Sequence, residues 1–226
     1  MFSRLMRHPL IRQQWLMLVM IVLIALVFLL QQILDWEHFF SWMPLPAMVV
    51  LLWNEVIAGN TAAIDWQVVA SLFSYSLLHA NLPHLCSNMV SFWMFGALLN
   101  ELLGKWWLIV IVVVSALAAS VGHVAMNPES WVPLLGASGI VMGFAGAYLG
   151  LSLRYRLPDP HVWPIAYPIE PGRLALVALI LVGTDYYNFA ANMQTNIAYA
   201  AHIGGFLAGF AIAVVILPCP KMASAR

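Results

Sequence analysis

Apolar residues run in long blocks along this chain, separated by short polar clusters. Blocks near 20 residues match the apolar thickness of a bilayer once tilt is allowed for. They cover about 15–34, 82–102, 106–125, 138–153, 172–187 and 197–217. The pattern predicts an all-α polytopic membrane protein with six transmembrane helices. The fourth and fifth blocks hold about 16 residues, roughly 24 Å of helix, so their ends should lie below the membrane surface beside embedded loops. A further apolar stretch, Pro44–Ile57, has only 14 residues and begins with two prolines. It reads as a re-entrant or interfacial piece of a membrane-embedded first loop covering about 36–70. Trp36, Trp42, Trp53 and Trp66 suit that placement, because indole prefers the headgroup level, where its ring is apolar and its N–H meets water.

Composition agrees. Of 226 residues, 63% are hydrophobic and 8% charged, which excludes a soluble globular domain. Nine Lys and Arg against nine Asp and Glu leave no basic surplus for nucleic acid. No linker or repeat divides the chain, so 1–226 reads as a single membrane domain. Cys86 and Cys219 are not placed for a structural disulfide.

The charges test the helix count independently, since Lys and Arg favour cytoplasmic loops. With six spans and the amino terminus inside, Arg4, Arg7 and Arg12, then Lys105, then Arg154, Arg156 and Arg173, then Lys221 and Arg226 all fall inside. Asp35, Glu37, Glu55, Asp65, Glu129 and Asp185 fall outside, and Glu101, Asp159 and Glu170 inside. Both termini are therefore expected in the cytoplasm. The first block lacks a small-residue cleavage site and reads as a retained helix rather than a signal peptide.

Polar side chains inside a bilayer are costly, so their positions direct the search for function. Asn81 and Pro83 open the second helix as cap and first-turn residue, and His84, Asn88 and Ser91 then share one of its faces, with Ser87 beside them. Such groups commonly glue helices together. The fourth helix opens at Ser138 and carries the small-residue steps Gly139/Gly143 and Gly146/Gly150. A serine there ordinarily caps its helix, but beside free backbone N–H groups it can also serve as a nucleophile. In the sixth helix, His202, Gly205 and Gly209 share a face suited to close packing on the fourth. Helices two, four and six run the same way, and His84, Asn88, Ser138 and His202 all lie in their first two turns, at matched depth.

A serine hydroxyl needs a base, and imidazole titrates near working pH. His202 is the candidate base for Ser138, and His84, Asn88 and the Ser138 N–H are candidate oxyanion donors. No acid is expected beside His202. The His79/His84 spacing and the single Cys86 form no zinc motif, and no phosphate-binding glycine loop appears, so neither metal nor cofactor is expected.

Gly136-Ala137-Ser138-Gly139, His84-x-x-x-Asn88 and Ala201-His202-Ile203-Gly204-Gly205, in this order on helices four, two and six, resemble the rhomboid intramembrane serine proteases. The resemblance implies a bacterial-type six-helix core with Ser138 as nucleophile, His202 as general base, and His84 and Asn88 binding the oxyanion. It also implies transmembrane protein substrates, and a plasma membrane location with the site opening to the periplasm or exterior. Three positions depart from the family pattern. Ala70-Ser71 replaces a common Trp-Arg pair, Asn100 with Glu101 beside it replaces a Glu, and Met142 replaces an aromatic ring. The alternative within the family is a catalytically silent protein that binds membrane helices for quality control. Outside it, a transporter using His84 and His202 would be expected to carry paired inverted repeats, which the chain lacks.

Overall fold

All six apolar blocks form helices in the computed structural model, which describes residues 9–60, 62, 64–159, 170–191, 198–221 and 223–225. In chain order these are α1 (Pro9–Ile33), a 3-10 segment (Trp36–Trp42), α2 (Pro46–Ile57), α3 (Trp66–Ser74), a second 3-10 segment (Tyr75–Leu77), α4 (Leu82–Leu103), α5 (Lys105–Met126) and α6 (Ser138–Arg154). The two-residue strand β1 (Tyr155–Arg156) follows, then α7 (Pro171–Ala190), α8 (Tyr199–Val215) and β2 (Ser224–Ala225), which pairs antiparallel with β1. Arg4, Arg7, Arg226 and residue 197, expected at the helix flanks, lie outside the described residues.

Among the described residues, three unbroken helices are long and apolar enough to cross a bilayer: α1 over Gln14–Ile33, α4 and α5. Trp36–Ile57 is a fourth such run by length and composition, at 22 residues. Its backbone, however, turns extended at Met43 and Leu45, around Pro44, which separates the 3-10 segment from a 12-residue helix. Twelve residues rise about 18 Å against an apolar core of about 30 Å, so α2 belongs with the first loop. Leu51, Trp53, Ile57 and Trp66 there are largely exposed, as lipid-facing groups would be.

Local chemistry fixes the ends of α4. Asn81 Oδ1 accepts from the His84 N–H at 2.9 Å, and Pro83 occupies the first turn. At the other end Gly104 takes φ +88°, a conformation that favours glycine, so that α5 starts at once on Lys105.

The centre of the fold is α6, buried from Gly139 through Tyr148. A Cβ on Gly205 would collide with the Gly139 carbonyl oxygen, and one on Gly209 with that of Gly143. The two helices thus meet backbone to backbone, as the small-residue faces predict. On the other side of α6, Phe92 packs edge-on against Phe144 at 5.1 Å, and Gly96 leaves room for Met17 of α1.

Polar ties close both ends of the bundle. At the Lys105 end, Gln14 donates to the Ala97 carbonyl at 3.0 Å and accepts from Asn100 Nδ2 at 2.8 Å. The buried Asn100 thereby joins α1 to α4 without a carboxylate. Arg154 donates to the carbonyls of Ala213 and Leu217, and the Lys221 N–H donates to the Leu102 carbonyl. At the Ser138 end, Gln31 of α1 bonds both backbone groups of His79, whose Nε2 accepts from the Ala137 N–H at 3.4 Å.

Two tests of this packing follow from the geometry. Gly209→Val should cost about 2–3 kcal/mol, because the opposing atoms are backbone and cannot retreat; thermal unfolding in detergent checks it. Burial, with the neighbouring His84 ring as the lesser cause, pushes His79 down to about 4. A histidine whose folded pKa lies below its unfolded value of about 6.5 favours folding only while neutral. Stability should therefore be full above pH 6.5 and fall, by at most about 3 kcal/mol, toward pH 4. His79→Gln should flatten that part of the Tm-against-pH curve.

Candidate active site

The first turns of α4, α6 and α8 meet at one end of the bundle, where α7 finishes. Ser138 is the first residue of α6, and Ala137 takes the cap position without a side-chain bond. The serine hydroxyl therefore does not cap the helix. It lies 2.7 Å from Nε2 of His202, in the first turn of α8. The close approach of α6 and α8 sets this distance, since each residue is carried on a helix whose neighbour cannot move away without opening the glycine contact.

Gly136 shapes the wall beside the serine. Its φ is +112°, and a Cβ there would come within 2.9 Å of His84 Nε2. Any side chain would be strained and would also displace the His84 ring. The Gly136 N–H is held by the Tyr75 carbonyl at 3.0 Å, and Tyr75 is in turn fixed by its hydroxyl donating to the Ala116 carbonyl at 2.9 Å. The first loop thus fixes the approach to Ser138 from a distance.

Hydrogen bonds assign the proton on His84. Nδ1 accepts from the Ala80 N–H at 3.4 Å, which leaves Nε2 as the protonated donor facing Gly136. Asn88, one turn on, is 5% exposed, and its Nδ2 has no hydrogen-bond partner among the described residues. An unpaired buried amide costs about 1–3 kcal/mol. Trp93, Ser115 and His123 carry unpaired atoms as well. What distinguishes Asn88 is its place on the cavity wall with His84 and Ser138. The first N–H groups of a helix also lack intrahelical acceptors, and Ser138 supplies one here. Donors from two helices consequently border the serine, the arrangement that stabilises an oxyanion.

These groups line a cavity of about 580 Å³ together with Asn81, Ser87 and Leu134. A smaller cavity of about 240 Å³ lies within the first loop, among Phe40, Met43, Asp65 and Ser71, and pairs no nucleophile with a base. The four residues singled out by sequence, Ser138, His202, His84 and Asn88, are thus brought to one cavity. Met142 is instead buried in the main apolar core. Ser71 is buried too and bonds its own helix at the Val68 carbonyl.

One expectation is corrected. No acid was expected beside His202, yet Asp185 Oδ2 lies 2.8 Å from His202 Nδ1, and both side chains are about 15% exposed. The sequence places Asp185 near the outer end of the 172–187 block, where it reads as one of the outside acids rather than as a partner for His202. In the structure α7 continues to Ala190 and carries Asp185 within the helix. Depth matching held the signal, because α7 runs opposite to α6 and α8, so its last turns lie level with their first. His79, whose spacing to His84 in the sequence bears only on metal binding, is the buried neighbour of His84, with ring centroids 5.0 Å apart. No metal-binding cluster occurs among the described residues.

Residues 65–219 match the family model of the Rhomboid domain. The rhomboid protease GlpG of Pectobacterium atrosepticum is 31% identical over 200 residues, covering 86% of this chain and 60% of that protein. RHOMBOID-like protein 2 of Arabidopsis thaliana is 29% identical over 188 residues, 80% of this chain and 55% of its own. The rhomboid protease AarA of Providencia stuartii is 25% identical over 161 residues, 64% and 54% respectively. The chain therefore spans less than two thirds of the length of these relatives. With a domain match over more than half its residues and apolar helices of membrane-crossing length, this integral membrane protein belongs to the rhomboid family.

Proposed function

We propose that this protein is an intramembrane serine endopeptidase that hydrolyses peptide bonds of transmembrane proteins near the outer leaflet. The observation that carries the reading is the 2.7 Å contact between Ser138 Oγ and His202 Nε2, at the wall of a cavity that also holds the polar groups of His84 and Asn88. A silent helix-binding protein has no need of a nucleophile held against a base. The charge distribution supports six spans with both termini in the cytoplasm, which opens the cavity to the periplasm or exterior of a bacterial plasma membrane.

His202 takes the Ser138 proton as Oγ attacks the substrate carbonyl. The oxyanion is met by the Ser138 N–H, Asn88 Nδ2 and His84 Nε2. His202 then gives its proton to the leaving amine, which leaves an acyl-enzyme on Ser138. Water entering along the polar face of α4 is deprotonated by the same His202 and releases the acyl group. Carbonyls of an intact helix are already hydrogen bonded, so substrates should carry small or helix-breaking residues near the cut.

The test is cleavage of a single-span substrate by purified protein in lipid. Ser138→Ala and His202→Ala should each lower kcat by at least about 10⁴-fold, and the double variant little further. Asn88→Ala and His84→Ala should each lower kcat by about 10²- to 10³-fold with a smaller effect on KM. If wild type cleaves nothing, a fluorophosphonate probe decides. Labelling that disappears in Ser138→Ala keeps the reading, and no labelling replaces it with the silent binding protein.

A further inference from the structure

Resemblance and motif point to a serine and a histidine. The structure adds a carboxylate on a different helix. An ionisable group inside a membrane bundle is expensive and persists only where something pairs with it. Asp185 is mostly buried, and its Oδ2 lies 2.8 Å from His202 Nδ1. Both ring nitrogens of His202 are thereby engaged, one by a carboxylate and the other by Ser138 Oγ.

The consequence follows from donor and acceptor roles. A carboxylate can only accept, so the ring must present Nδ1–H to Asp185. Nε2 is then the acceptor, which is the form needed to take the serine proton. Neutral imidazole left to itself can carry its proton on either nitrogen, and with Nε2–H it could not act as the base.

We propose that Asp185 is a positioning residue that fixes the tautomer and orientation of His202, so that this chain works through a Ser138–His202–Asp185 triad rather than a dyad. The inference rests on the protease reading. No proton reaches Asp185: Nδ1–H stays on the ring while Nε2 gains the Ser138 proton, and the carboxylate stabilises the imidazolium that results.

The experiment combines kinetics with a direct readout of the ring. Asp185→Asn should lower kcat by about 10²- to 10⁴-fold with KM within about threefold of wild type. Asp185→Glu should recover part of that loss. In protein carrying ¹⁵N-histidine, with the His202 signals identified by their loss in His202→Ala, wild type should show Nδ1 protonated and Nε2 bare. Asp185→Asn should shift the proton toward Nε2, because the amide can donate to Nδ1. A merely structural ion pair between α7 and α8 would lower Tm without moving the tautomer. Wild-type-like kcat in Asp185→Asn, or an unchanged Nδ1–H form in both Asp185→Asn and Asp185→Ala, overturns the inference. If wild type itself proves inactive the protease reading fails, and the tautomer measurement still decides whether Asp185 sets the ring.

Discussion

The contact between α6 and α8 is the constraint from which the site follows. Lipid tails are as apolar as leucine, so two helices in a bilayer gain little by hiding apolar surface from it and associate through close packing. Glycines at 139, 143, 205 and 209 remove the side chains that would hold the backbones apart. Ser138 and His202 sit one residue before and three residues before the first glycines of this contact, on rigid helices. Backbone packing thus brings the two residues within reach, and the 2.7 Å contact is completed by their side chains. On the protease reading, where a displacement near 1 Å at the reacting pair can cost about 10²-fold in rate, the glycine face would govern chemistry as well as stability.

Much of this was legible because membrane helices obey few rules. Block length predicted α1, α4, α5, α6, α7 and α8, and Asn81 with Pro83 marked the start of α4. Glycine spacing predicted which helices meet, and matched depth brought His84, Asn88, Ser138 and His202 to one cavity. What stayed hidden depends on contacts between distant residues, which no local periodicity records. Gln14 meets Asn100 across 86 positions, and Gln31 meets His79 across 48. The interior of the first loop also escaped, since its short helices are fixed by ties such as Ser74 to the Trp42 carbonyl and Leu134 to the Pro44 carbonyl. Asp185 escaped for a narrower reason. It lies within the α7 block, and nothing in that block's own spacing records that its outer end meets the first turn of α8.

The two ends of the bundle use the same kinds of polar residue differently. At the Lys105 end the amides of Gln14 and Asn100 satisfy each other and a backbone carbonyl. That is the ordinary use of buried amides as glue between membrane helices. At the Ser138 end Asn88 is just as buried, yet its Nδ2 is unpaired among the described residues. A donor that gives nothing to the fold weakens it, so its retention is explained by what it meets later. On the protease reading that partner is the charged oxygen of the tetrahedral intermediate, to which a prepaid, poorly solvated donor binds more strongly than to a neutral carbonyl. Had Asn88 been satisfied within the protein, attack at Ser138 would first have to break that bond. On that reading the cost carried in the resting fold lowers the barrier to attack, so that this end of the bundle would be built for chemistry and the other for cohesion.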